Sequence, residues 1–171
     1  MDAPLSIAPA RAGDGARCEA VLRSLPEWFG IEEAIVEYRA AAERDPTWVA
    51  RPAGGGDVIG FVTLRRHFSA SGEIACLAIR REWHGRGFGR ALVERVESEL
   101  VRDGAEYLQV KTLGPSRENE AYASTRRFYE ACGFRPLEET TAFWGEVNPT
   151  LMMVKRLAGP HRGSGAPVAS A

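Results

Sequence analysis

The sequence is poor in the residues that build covalent or metal-centred chemistry. Its three cysteines, Cys18, Cys76 and Cys132, are widely spaced, odd in number and form no C-x-x-C pair. That excludes a disulfide framework and a zinc knuckle. The three histidines, His67, His84 and His161, are equally scattered, so no ligand set for a catalytic metal is visible. No apolar run approaches the ~20 residues that span a bilayer. The start, Met1-Asp2-Ala3-Pro4, lacks the basic region and apolar stretch of a secretory signal. A basic excess is missing too: 22 basic residues stand against 23 acidic ones, a formal net charge of -1. A protein that grips phosphate backbones needs such an excess. The expected setting is a reduced cytoplasm, with neither nucleic acid nor membrane as partner.

What is present is an ordinary globular composition. The 171 residues are 44% apolar and 26% charged, enough for one domain with a proper core. That domain is expected over residues 1–157. Residues 158–171, AGPHRGSGAPVASA, are rich in Gly, Pro, Ser and Ala, and are expected to be a disordered tail without a catalytic role. Within the body, short strands are expected at Leu5–Ala8, Trp48–Arg51 and Val58–His67, the last two joined at Gly54-Gly55-Gly56-Asp57 as a hairpin. Glu73–Ile79 is almost continuously apolar, so it reads as a strand buried on both faces. Further strands are expected at Tyr107–Thr112, Phe134–Thr141 and Leu151–Leu157. Helical spacing marks Ala16 to Leu25 with Asp14 as N-cap, Glu32–Glu43, Gly87–Asp103 and Tyr122–Cys132. Gly133 ends the last helix with Phe134 folding back on Phe128 or Tyr129, in the manner of a Schellman motif. Hairpins first and alternating helices later point to a mixed α/β sheet.

The stretch Arg80-Arg81-Glu82-Trp83-His84-Gly85-Arg86-Gly87-Phe88-Gly89-Arg90 lies between a buried strand and an amphipathic helix. A helix N-terminus presents unpaired amides and partial positive charge, a ready anion site. Glycines let a phosphate approach those amides without a Cβ in the way. Arg80, Arg81, Arg86 and Arg90 add positive charge. A P-loop would need Gly-Lys-Ser/Thr, and here Arg90-Ala91 follows Gly89. A dinucleotide fingerprint would be G-x-G-x-x-G after the first strand, and here G-x-G-x-G follows about the fourth. A merely tight turn needs neither three glycines nor interleaved arginines, so anion binding is the stronger reading.

The run Ile74-Ala75-Cys76-Leu77-Ala78-Ile79, then Trp83 to Leu92, resembles the coenzyme A signature of GNAT acetyltransferases. His84 stands where that signature usually has Gln or Arg, followed by Gly87 and Gly89. Thr125 to Phe134, with Phe128-Tyr129 and Gly133-Phe134, resembles the late helix of the same family. Val110 to Ser116 and Trp144 to Pro149 look like a bacterial branch of it. The resemblance covers about Leu5 to Leu157, in outline only for the first 50 residues. It implies a GNAT fold: a central sheet of six or seven strands, helices on both faces, and a V-shaped splay between the fourth and fifth strands. Homodimers are common among such relatives.

The resemblance further implies transfer of an acetyl group from acetyl-CoA to an amine by direct attack in a ternary complex. The cofactor would be held by the backbone of Leu77, Ala78 and Ile79, by the loop His84, Gly85, Arg86, Gly87, Phe88, Gly89 and Arg90, and by Thr125 and Tyr129. The Leu77 amide would donate to the thioester oxygen, an effect worth roughly 3 kcal/mol in the transition state. Glu73 is the candidate base, although an unperturbed glutamate near ~4.3 is too acidic without desolvation; a solvated turn residue is the competing reading. Tyr129 is the candidate acid for the departing thiolate, against a purely packed aromatic. Glu27, Trp28 and Phe29 between the first two helices, with Tyr122 and Trp144, are candidate acceptor contacts. Aromatics there suit an apolar or cationic amine, most simply a small molecule. Protein acetylation and a non-catalytic acyl-CoA sensor are the alternatives.

Overall fold

The structure, a computed structural model, describes residues 5–158; the expected tail lies outside them from residue 159 on. Twelve elements follow in order. β1 (Leu5–Pro9), α1 (Asp14–Arg23), α2 (Glu32–Arg44), β2 (Thr47–Pro52), β3 (Gly60–Phe68) and β4 (Ser71–Ile79) make the first half. A short 3-10 turn (Arg81–Trp83), α3 (Phe88–Arg102), β5 (Tyr107–Leu113), α4 (Glu120–Ala131), β6 (Arg135–Thr140) and β7 (Thr150–Arg156) complete it. The strands form one seven-stranded sheet in the order β1-β2-β3-β4-β5-β7-β6. All neighbours are antiparallel except β4 and β5, whose parallel pairing requires the crossover that α3 supplies.

Each face of the sheet has its own core. Val49, Phe61, Cys76 and Ala78 pack under α1 and α2 with Cys18, Val21, Leu22 and Ile35. Val62, Leu64, Ile74 and Leu108 pack against the stripe Leu92, Val93, Val96 and Leu100 of α3, and against Tyr129, Cys132 and Phe134. That stripe recurs at helical spacing, which is why a chain with charged residues between them folds as an amphipathic helix here.

One register change sets up everything that follows. Thr63 pairs with Cys76, but its neighbour Leu64 pairs with Ile74, so Ala75 is an extra residue in β4. A β-bulge of this kind bends its strand and increases the local twist. On the other edge, β4 pairs with β5 only from Ser71 to Ile74. Beyond Ile74, at the bulge, the two strands part, as the splay expected from the sequence requires.

The Schellman ending is found as expected: the Phe134 amide donates to the Tyr129 carbonyl at 3.0 Å and the Gly133 amide to Glu130 at 2.9 Å. Gly133 sits at φ 95, a left-handed conformation that a glycine adopts without steric cost. The N-cap of α1 is a correction. Gly13, at φ 87, holds that place, and Asp14 is the first helical residue. The Asp14 carboxylate is buried, accepts from the Arg11 amide at 2.8 Å and pairs with Arg51 at 2.5 Å. The helix begins one residue earlier than the N-cap reading of Asp14 requires, with a local bond to Arg11 and a long-range pair to Arg51 holding the carboxylate.

Candidate active site

The splay opens into a cavity of 460 Å³, within the range of small-molecule sites. Its floor is β4 from Ile74 to Ile79, its far wall Val110, Lys111 and Thr112 of β5, and its lid the α1–α2 connection and α4. Leu77, Ala78 and Ile79 all line it. Because β4 has no strand partner on its β5 edge after Ile74, its backbone there is available to a ligand. Ile79 is partly committed, since the His84 Nε2–H donates to its carbonyl at 2.6 Å.

At one end of the cavity stands the glycine loop. Gly85 and Gly87 adopt φ 74 and φ 82, a region in which an L side chain is strained. A Cβ on either would meet nothing within 4 Å, so open space lies over both. Ala91 donates to the Gly87 carbonyl at 3.1 Å, which leaves the amides of Phe88, Gly89 and Arg90 as the unpaired first turn of α3. Gly89 is required for another reason: a Cβ there would lie 3.1 Å from the Phe128 ring of α4. Phe88 turns inward, buried and packed on Trp83 with centroids 5.5 Å apart.

The arginines divide. Arg90 lines the cavity and donates to the Ala131 carbonyl at 2.9 Å. Arg86 lies over the Trp83 ring at 5.1 Å, outside the lining. Arg80 is tied to Asp57 and Arg81 to Glu27, so neither faces the cavity as the sequence suggested. Glu27, exposed in that pair, is likewise outside the lining.

Trp28 ties the lid down. Its indole N–H donates to Thr125 Oγ1 at 3.0 Å, its carbonyl accepts from the Tyr122 hydroxyl at 2.7 Å, and its ring meets His84 edge-on at 5.8 Å. All four line the cavity. Asn119, whose side chain accepts from the Tyr122 amide at 3.1 Å, caps α4 and fixes where it begins. Phe29 and Trp144 are also in the lining, Phe29 braced edge-to-face on Tyr38 at 5.9 Å.

Tyr129 is buried between Phe128 and Phe134, with centroids at 5.2 and 5.4 Å, yet lines the cavity. Its hydroxyl makes no hydrogen bond among the described residues. Burial pushes its pKa well up, with buried cysteines and tyrosines nearby adding to the effect. It is therefore a protonated donor at neutral pH. Cys76 is also in the lining, and burial raises its thiol far from the reactive range.

Glu73 is buried but stands behind the cavity wall rather than in it. Both its oxygens accept from Lys111 Nζ at 2.9 Å, and His67 Nε2 and Gln109 Nε2 also reach it. Burial alone would raise its pKa, but the hydrogen bonds and charges of Lys111 and His67 outweigh that, and the net shift is downward. A base needs the reverse. Lys111 and Tyr38 are lining residues that sequence reasoning did not single out. Lys111 is read as part of a strand and Tyr38 as part of a helix face, and no local signal marks either as a site residue.

No group of three or more potential metal ligands exists among the described residues, and none of their helices is long and apolar enough to cross a membrane. A sheet that splays at a bulge, with a glycine-rich helix start at its open end, defines the class. The chain belongs to the GNAT acetyltransferase family, whose domain it matches over residues 43–136. It is 33% identical over 95 residues to a mycothiol acetyltransferase from Beutenbergia cavernae, covering 54% of this chain and 30% of that relative's length. Its fold matches a GNAT-family protein from Desulfovibrio desulfuricans with a TM-score of 0.78 at 18% identity, over 91% of this chain and 100% of that one. A protein from Salmonella typhimurium, solved with acetyl-CoA, matches with a TM-score of 0.68 at 18% identity, over 98% and 99% of the two chains.

Proposed function

We propose that this protein transfers an acetyl group from acetyl-CoA to the primary amine of a small molecule, by direct attack in a ternary complex. The observation that carries the reading is the continuity of one cavity from the open amides of the glycine loop, along the unpaired edge of β4, to the Tyr129 hydroxyl. Acetyl-CoA supplies an activated acyl carbon and a sulfur leaving group. The amides of Phe88, Gly89 and Arg90 receive the pyrophosphate at the positive end of α3. The Leu77 amide donates to the carbonyl oxygen, where charge develops. Tyr129 gives its proton to the departing sulfur.

Glu73 holds Lys111 instead of taking a proton, because a buried carboxylate whose pKa is lowered by Lys111 and the hydrogen bond of His67 is a weak base. The amine then loses its proton to water at the cavity mouth. A small acceptor suits a cavity narrowed by Trp28, which is hydrogen-bonded to α4, more than an extended peptide does. Release of free thiol from acetyl-CoA against a panel of amines tests the reading. Amine-dependent release supports it, whereas tight CoA binding with no turnover for any amine would identify a binding module. Stabilisation by NAD or ATP but not by CoA would overturn the whole assignment.

A further inference from the structure

The charges that line the cavity are all of one sign. Arg90 stands at the glycine-loop end and Lys111 on the far wall, with no aspartate or glutamate among the described lining residues. A polyamine or another polycation entering this space would find no counter-charge and would meet an ammonium. Net charge gives no hint of this, since the chain as a whole carries -1.

Lys111 is held in place from two sides. Glu73 takes it from behind through both carboxylate oxygens, and Phe143 of the β6–β7 connection covers it with its ring centroid 4.7 Å from Nζ. Its side chain is 16% exposed, so the ammonium is oriented rather than free to swing into water. An ammonium has three donors, and Lys111 lines the cavity whereas Glu73, its partner, does not. Tyr38 lines the same cavity, packs edge-to-face on Phe29, and its hydroxyl makes no hydrogen bond among the described residues. Burial raises the Tyr38 phenol, so it too is a donor at neutral pH. Two donors, one of them charged, with Phe29 and Trp144 as apolar walls, form a receptor for an anion on an apolar body.

We propose that the acceptor is an amine bearing a carboxylate and an apolar or aromatic body, and that Lys111 and Tyr38 receive the carboxylate. This rests on the acetyltransferase reading, in which the cavity holds the acceptor beside the acetyl donor. Glu73 then sets the strength of the site: it orients Lys111 and competes for its charge.

The test uses the full chain and two product analogues with the same body, N-acetyl-L-phenylalanine and N-acetylphenethylamine, titrated calorimetrically with and without saturating CoA. The carboxylated ligand should bind about tenfold or more tightly, the effect of one charge-assisted hydrogen bond. Glu73→Gln, which removes the competing carboxylate, should widen that preference. Glu73→Gln with Lys111→Met removes both charges together and should bring the two ligands within about twofold. Equal or weaker binding of the carboxylated ligand to the wild-type chain would overturn the proposal, as would its failure to bind. A preference that survives in the double variant would overturn it too; the single Glu73→Gln comparison decides the matter if the double variant does not fold. Failure to bind CoA in the same calorimeter would instead count against the acetyltransferase reading.

Discussion

Tyr129 is held by two aromatic neighbours, Phe128 on α4 and Phe134 just before β6, which fix its ring while the residue lines the cavity. Tyr129→Phe preserves that packing and removes only the proton donor. Steady-state thiol release should fall by about 10²-fold or more, the usual effect of a positioned general acid, while the KM for acetyl-CoA stays nearly constant. An equal loss in both would mark Tyr129 as structural. Glu73 permits a prediction in pH. Its folded pKa lies below the ordinary value of 4.5, so its contribution to stability is complete above that value and is lost as pH falls below it. Asp14 is lowered in the same direction: burial opposes the shift, but its backbone bond to Arg11 and its charge pairing with Arg51 together outweigh it. Thermal unfolding followed from neutral pH into acid should show Tm falling below about pH 4.5. In Glu73→Gln the fall should be shallower, with the Asp14 share still present; an unchanged acid limb would mean that the Glu73 cluster does not bias folding.

At the scale of elements, the loop before α3 is where the account is most exposed to mutation. Gly87→Glu fills open space with bulk and negative charge and should abolish CoA binding in a calorimetric titration, leaving the far-UV circular dichroism of the fold intact. Retained affinity would remove the loop from the site. Gly89→Val acts differently, since its Cβ meets Phe128 at 3.1 Å. It should lower stability by about 1–3 kcal/mol in urea unfolding through overpacking of α3 on α4. The elements themselves are legible in the sequence because their signals are local. The apolar run of β4, the α3 stripe and the Gly133-Phe134 ending each occupy a few consecutive turns or residues. The Ala75 bulge is not legible, because its cause is the registry of β4 against β3 and the parting of β4 from β5. The start of α1 differs by one residue: Gly13, in the left-handed region, takes the cap, and Asp14 instead pairs with Arg51 far along the chain.

For the whole molecule, the site is assembled from pairs distant in sequence. Trp28 meets Thr125 across 97 positions and Glu73 meets Lys111 across 38. The glycine loop and Tyr129 could be located beforehand, since each belongs to a short motif. Lys111, Tyr38 and the true surroundings of Glu73 could not, because nothing adjacent in the sequence distinguishes them from strand and helix residues. Glu73 shows the consequence: the desolvation that a base requires is present, but Lys111 and His67 reverse the direction of its shift. The most direct measurement is the initial rate of thiol release from acetyl-CoA, with the concentrations of acetyl-CoA and an acceptor amine varied together. The account predicts amine-dependent release and double-reciprocal lines that intersect, the pattern of a ternary complex. Parallel lines would reveal an acyl-enzyme intermediate, and release that no amine accelerates would contradict acetyl transfer to an amine altogether.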